Sequence, residues 1–161
     1  MNVKTRWARL ADAKEIANLF KKPAIRKYFG KNEYSYRHIK RWIGYYPKMK
    51  TVAIVDGRVV GFISLYQYMF NYMTGYEHIG LFDIAVDSRY QGKGVGSSLV
   101  KFAIKHFKKK GFKKIEICVE KNNKKAIGFF ESLGFKKEGM LRKHHDKDGK
   151  FVDDILMGML L

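Results

Sequence analysis

The stretch Phe82-Asp83-Ile84-Ala85-Val86-Asp87-Ser88-Arg89-Tyr90-Gln91-Gly92-Lys93-Gly94-Val95-Gly96-Ser97-Ser98-Leu99 decides how the rest of the chain is read. An apolar strand candidate runs into a polar turn, then three alternate glycines, then an amphipathic helix. Glycine lets the backbone approach a ligand closely and take positive φ. The helix behind it offers unpaired N–H groups and the positive end of its dipole, so the whole is an anion cradle suited to phosphate. Spacing sorts the kinds of cradle. A Walker-type loop needs Lys-Ser or Lys-Thr after its last glycine, whereas Lys93 lies between two glycines. A dinucleotide fingerprint needs G-x-G-x-x-G, whereas Gly92, Gly94 and Gly96 read G-x-G-x-G. A cradle of a third kind remains, beside the plain alternative of a glycine-rich turn with no ligand.

The 161 residues suit one domain, 1–161, with a real core. No run of about eighteen apolar residues offers a membrane span, and Met1 to Leu10 is broken by Lys4, Arg6 and Arg9, unlike a signal peptide. A single cysteine, Cys118, excludes an internal disulfide and suits a cytoplasmic protein. The net charge of +18 asks for an anionic partner. Lys and Arg number 15 in residues 1–80 and 18 in residues 81–161, so neither half is a basic arm. A nucleic-acid partner would need a clustered basic patch with exposed aromatics, and the run Lys105 to Lys114 reads more simply as the solvated end of a helix.

In chain order, Val3 to Leu10 reads as a strand, and Asp12-Ala13-Lys14-Glu15 as a capping box opening a helix with Ile16, Leu19 and Phe20 inward. Residues 24–45 hold short amphipathic pieces. Thr51 to Val55, Asp56-Gly57 and Arg58 to Tyr66 predict a hairpin on a type I′ turn. Tyr66 to Tyr76, rich in tyrosine and methionine, reads as a strand end and a connecting loop. His78 to Val86 is the strand that feeds the glycines, and a helix runs from Ser97 to about Lys110, stopped by Gly111. Lys114 to Val119 is a strand, and a helix carrying Ala126, Ile127, Phe129, Phe130 and Leu133 follows Asn122-Asn123, capped by Gly134. Phe135 to Arg142 and Phe151 to Leu160 are final strands around the polar turn Asp146 to Gly149. The order β-α-α-β-β-β-α-β-α-β-β predicts a mixed α/β sheet with helices on both faces.

Gln91-x-x-Gly94-x-Gly96 resembles the Q/R-x-x-G-x-G/A signature of the GNAT superfamily of N-acetyltransferases. Asn123-x-x-Ala126-Ile127-x-Phe129-Phe130-Glu131-x-Leu133-Gly134-Phe135 is similar to that family's N-x-x-A-I-x-L-Y-E-x-L-G-F segment. The tail Glu138-Gly139-x-Leu141-Arg142, with Gly149, Asp153 and Met157, looks like members acting on amino acids or protein N-termini. The resemblance implies a central sheet splayed between its fourth and fifth strands, with the pantetheine of acetyl-coenzyme A bonded along Ile84, Ala85 and Val86. It puts the pyrophosphate on Gln91, Gly92, Lys93, Gly94, Val95, Gly96 and Ser97, and adds Asn123 and Phe130 to the cosubstrate's contacts. Arg89, Lys93 and Lys125 are candidates for its 3′-phosphate, or simply solvated cations.

The chemistry that the resemblance implies is acetyl transfer to an amine, which needs a neutral nucleophile, an oxyanion donor and a leaving thiolate. Phe130 fills the family's common tyrosine position and has no proton to give. Acid help is then dispensable, or comes from Tyr66, Tyr68 or Tyr72. Strand alternation places His78, Gly80, Phe82, Ile84 and Val86 on one face, where relatives with a base on this strand carry Glu or His at the positions of Gly80 or Phe82. His78 is the titratable residue of that parity, a proton relay or an exposed strand histidine. Asp83, of opposite parity, reads as structural, and Cys118 as a buried inert thiol. Of His144, His145 and Asp153, at most one histidine is expected to face the acceptor, and no spacing suggests a metal. The leading expectation is a monomeric or homodimeric enzyme acting on a small-molecule or peptide amine. A catalytically idle coenzyme A-binding module and a basic RNA-associated protein are the competing classes.

Overall fold

The computed structural model of the chain describes residues 1–29, 34–67 and 75–161. Its elements are β1 (Lys4–Trp7), α1 (Ala13–Phe20), α2 (Pro23–Arg26), α3 (Tyr36–Tyr45), β2 (Lys50–Val55), β3 (Arg58–Gln67) and β4 (Ile79–Val86). There follow α4 (Val95–Lys109), β5 (Lys114–Glu120), α5 (Lys124–Ser132), β6 (Lys136–Lys147) and β7 (Lys150–Leu160). Hydrogen-bonded neighbours run in the order β1-β2-β3-β4-β5-β7-β6. The β4–β5 pair is parallel, while β1–β2, β2–β3, β5–β7 and β6–β7 are antiparallel, so the sheet is mixed as expected. None of the described helices is long and apolar enough to cross a membrane.

By contacts the chain divides into two compact units, Met1–Tyr66 with Asp83–Lys105, and Gln67–Phe82 with His106–Leu161. In the first, Ile16, Leu19 and Phe20 of α1 pack with Ile39 and Ile43 of α3 on Val52, Phe62 and Ala85. Phe62 and Gly61 are consecutive on β3 and so face opposite ways. The Gly61 side is filled by α4, since a Cβ there would stand 2.9 Å from Leu99 Cδ1 and 3.1 Å from Val95 Cγ1. Helices therefore cover both faces of this part of the sheet. Asp56 and Gly57 both take left-handed φ, 48° and 75°, as a type I′ turn requires, and the predicted hairpin forms around them.

In the second unit, Gly80 of β4 lies against the ring of Phe107, 2.6 Å from where its Cβ would be. Phe82, Phe130 and Phe135 form an aromatic cluster with centroids 5.5–6.1 Å apart. The β4–β5 ladder covers Ile79–Leu81 against Lys114–Glu116.

Several expectations need correction. Asp12 does not cap α1 with Glu15. Its carboxylate accepts the Arg9 N–H at 2.7 Å and both Arg6 guanidinium nitrogens at 2.7 and 2.9 Å, closing the 3-10 turn before the helix. Glu15 instead accepts the N–H of Val59 at 2.7 Å. The first strand accordingly stops at Trp7 rather than Leu10. The region 24–45 resolves into α2, started by Pro23, and α3, capped by Ser35, whose hydroxyl accepts the His38 N–H. The last strands are longer than expected. β6 reaches Lys147, and the turn narrows to Asp148-Gly149, both at positive φ.

Two glycines of opposite environment test this packing. Gly80→Ala is expected to cost about 1–3 kcal/mol, because the Phe107 ring must move in a filled core. Gly128→Ala, exposed inside α5 with nothing within 4 Å, is expected to gain about 0.8–1.0 kcal/mol. Urea unfolding of both variants checks the pair, and a neutral Gly80→Ala would contradict the contact with Phe107.

Candidate functional site

The end of β4 and the start of α4 build a cradle from backbone. Gly92 and Gly94 sit at φ 72° and 81°, left-handed values that side chains resist. A Cβ added to either meets nothing within 4 Å, so conformation rather than crowding demands glycine, and the space above is open. Ser98 N–H donates to the Gly94 carbonyl at 2.9 Å as the first bond of α4. The N–H groups of Val95, Gly96 and Ser97 therefore belong to the first turn, which has no intrahelical acceptor for them. No acidic residue stands in that first turn to neutralise the positive end of the dipole, while His106, Lys108 and Lys109 stand in the last, where cations are favoured.

Two side chains fix where the cradle starts. Gln91 Nε2 donates to the Val86 carbonyl at 3.2 Å, tying the loop back to the strand. Asp87, only 2% exposed, accepts from Lys22 Nζ, from the Arg89 backbone N–H at 3.2 Å and from Arg89 Nη2 at 2.9 Å. Burial pushes its carboxyl towards the neutral form, but the hydrogen bonds from Arg89 and Lys22 outweigh this and hold it well below the usual carboxylate range. Arg89, expected at a phosphate or in solvent, is thus engaged with Asp87.

On the other side of the strand's alternation lies a polar group that the sequence reading did not assemble. Tyr66 Oη donates to Asp83 Oδ1 at 3.0 Å. Lys50, 9% exposed, donates to Ser64 Oγ at 2.7 Å and stands 5.3 Å from the centroid of the Trp42 ring. Burial pulls its amine down to about 8, with Asp83 opposing. One signal was available: Lys50 and Ser64 are polar residues directly paired across two mostly apolar strands.

The other candidates distribute as follows. Ile84 and Val86 are half-buried and Ala85 is buried, all on β4. Lys93 Nζ stands 5.8 Å over the Tyr90 ring. His78 is exposed in the turn before β4 rather than on the strand, because the strand begins at Ile79. Its carbonyl accepts from the N–H groups of Lys113 and Lys114. Tyr68 and Tyr72 lie outside the described residues. Asn123 accepts the Ala126 N–H at 3.2 Å as the cap of α5. Phe130 is 5% exposed, its ring packed among aromatics. Cys118 is exposed, not buried, because Ile117 and Val119 take the core side of β5. His144 and His145 do not face opposite ways. A register shift between Leu141 and His145, with Lys143 at φ 50°, aims both at Asp154. Asp153 is committed to that bulge, accepting the Lys143 N–H at 3.0 Å and Lys121 Nζ at 3.2 Å.

With this geometry in place, likeness to known proteins becomes informative. The family model described as acetyltransferase (GNAT) matches residues 13–135. The [ribosomal protein bS18]-alanine N-acetyltransferase of Escherichia coli strain K12 is 34% identical over 79 residues, 49% of this chain and 53% of that protein. The L-amino acid N-acetyltransferase AaaT of the same strain is 32% identical over 107 residues, 66% of this chain and 64% of that protein. The chain thus spans between half and two-thirds of these relatives' lengths. The solved structure of yncA from Salmonella typhimurium with its cofactor acetyl-CoA superposes with a TM-score of 0.86 at 20% identity, over 99% of this chain and 94% of that one. That likeness concerns the fold.

The Asp87 junction sets a pH test. A carboxyl held below its unfolded value contributes stability that is full above about pH 4 and lost as pH falls through the folded value. Asp87→Asn is expected to cost about 1–3 kcal/mol near neutrality, with Lys22 and Arg89 partly exposed and so screened. The deficit should shrink below pH 4. Unfolding midpoints of both proteins from pH 7 to pH 3 check this, and a gap independent of pH would contradict the assignment.

Proposed function

The chain belongs to the acetyltransferase (GNAT) family, and from that premise we propose that it transfers the acetyl group of acetyl-coenzyme A to the α-amino group of an amino acid or small amine. The observation that carries this reading is the open cradle at Gln91–Ser97. It joins two left-handed glycines, first-turn N–H donors and the positive end of a helix dipole that no first-turn carboxylate neutralises, all at the end of a strand. A pyrophosphate fits that set, because its oxygens accept and the cradle's groups donate. Gln91 acts there by fixing the loop, and the backbone from Gly92 to Ser97 meets the phosphates. Pantetheine then follows Ile84–Val86, a part of β4 beyond the residues laddered to β5. Main-chain contact asks only that these side chains be apolar.

In the transfer, the neutral amine attacks the thioester carbonyl, the new C–N bond forms, and the C–S bond breaks to release thiolate. The amine's proton leaves to solvent and the thiolate takes one up. A thiol with a pKa of roughly 8.5 leaves with modest help, which suits a chain with Phe130 at the family's tyrosine position. The group Tyr66–Asp83 lies one residue before Ile84, which favours acceptor approach from that face of β4. The second reading, a protein N-terminus, has the same α-amine chemistry and draws on the likeness to the bS18-alanine N-acetyltransferase.

Gly94→Val tests the cradle. A β-branched residue at φ 81° costs roughly 1–2 kcal/mol of backbone strain and turns the loop away from its donors. Calorimetry is expected to show acetyl-coenzyme A binding lost in a folded variant, and unchanged affinity would sink the assignment.

The acceptor class follows from protonation. The terminal α-amine of a peptide titrates at roughly 7.7–8.0 and an alkylamine near 10.4, so near pH 7 a peptide N-terminus is neutral far more often than a polyamine. A surface of net charge +18 also repels polycations within a Debye length of about 8 Å. Coenzyme release is expected to rise with pH from 6 to 8 and to be faster with an amino acid than with a polyamine. Faster polyamine turnover at pH 7, indifferent to salt, would overturn the choice, and no release with any amine would favour the idle-module reading.

A further inference from the structure

We propose that the β6–β7 hairpin carries a site for a divalent transition-metal cation, formed by His144, His145 and Asp154. The three donors converge. His144 Nδ1 lies 2.8 Å and His145 Nδ1 2.9 Å from the same oxygen, Asp154 Oδ2, and all three atoms lie within 4.8 Å of one another. Two adjacent strand residues reach one acid only because β6 is bulged there, with Lys143 in the left-handed region and its N–H held by Asp153. Asp154 itself is 5% exposed, and its other oxygen, Oδ1, is buried with no hydrogen-bond partner among the described residues. An unpartnered carboxylate oxygen costs on the order of 1–3 kcal/mol or more. A cation bound at Oδ2 draws charge from the whole carboxylate and so lowers that cost.

Donor chemistry narrows the ion. Two imidazole nitrogens and a carboxylate suit zinc and its neighbours rather than calcium or magnesium, which prefer oxygen alone. Bonds of roughly 2.0–2.2 Å to a common centre put tetrahedral donors about 3.3–3.5 Å apart. The histidines therefore need to draw back from Oδ2 by about half an ångström, and both side chains are exposed enough to do so, at 44% and 40%. A fourth coordination position is left for water. Arg142, Lys143 and Lys147 stand close by in sequence, but Lys147 is engaged with Glu120 at 2.6 Å and Lys121 with Asp153, which limits their opposition. Bound there, the ion joins two residues of β6 to one of β7 and clamps the bulge.

The full chain, stripped with EDTA, is titrated with Zn²⁺ by calorimetry and with Co²⁺ by absorption spectroscopy. One Zn²⁺ per chain is expected, with a Kd of micromolar or below. Co²⁺ should give a tetrahedral spectrum without a thiolate charge-transfer band, which separates this site from the exposed Cys118. His144→Ala and His145→Ala are each expected to weaken binding at least tenfold and to remove the Zn²⁺-dependent rise in unfolding temperature. These half-exposed positions are the decisive variants, since Asp154 is buried and Asp154→Asn risks the fold. No binding, binding that survives both histidine variants, or a thiolate band would overturn the site.

Discussion

Everything else about the first unit depends on how the chain leaves β4. A strand that ends must turn its backbone into a helix without burying unpaired N–H groups, and here the solution is two glycines at left-handed φ. The turn is held from behind by Asp87 and Gln91, neither of which projects into the cradle. With the strand end and the helix start both fixed, Val95, Leu99, Val100 and Ala103 enter the core of the α4 side. The same fixation leaves the first-turn amides facing outward. Packing and ligand chemistry are therefore two results of one backbone geometry, and Lys22 links that geometry to the segment between α1 and α2.

What was legible in the sequence follows from how local its cause is. The Asp56-Gly57 hairpin and the cradle are written in residues whose backbone preferences need no tertiary help. Failures came where a distant group outbid a local one. Asp12 matches a capping pattern, but Arg6 and the Arg9 amide claim its carboxylate. β6 was cut short because its run of Lys, Arg, His and Asp looks like a loop, although an edge strand tolerates charges on both faces. Alternation misled for His144 and His145 because a bulge resets it.

The candidate site divides in the same way. The cradle was readable because backbone conformations make it, and glycine spacing reports them. The polar group around Lys50 was not, since Lys50 is an ordinary lysine until β3 and α3 bury it beside Ser64 and Trp42. Its depressed amine arises from burial, a property of the assembled core rather than of any short motif. Alternation sets Asp83 opposite Phe82 and Ile84, which reads as structural. It did not reveal that Tyr66 meets it there.

Net charge and local donors compete as explanations for where an anion would settle, and their magnitudes decide between them. The surplus of eighteen positive charges spans both halves of the sequence. At a Debye length of about 8 Å it raises the encounter rate of anions broadly but singles out no position. A helix dipole adds roughly 0.3–1 kcal/mol at one place. Hydrogen bonds from N–H groups to a charged oxygen add about 1.5–3 kcal/mol each. Three first-turn amides of α4 therefore outweigh both the dipole and the diffuse field. An anion drawn to this chain would be placed by the backbone of Gly92–Ser97, with the basic surface affecting how fast it arrives and how strongly salt slows it.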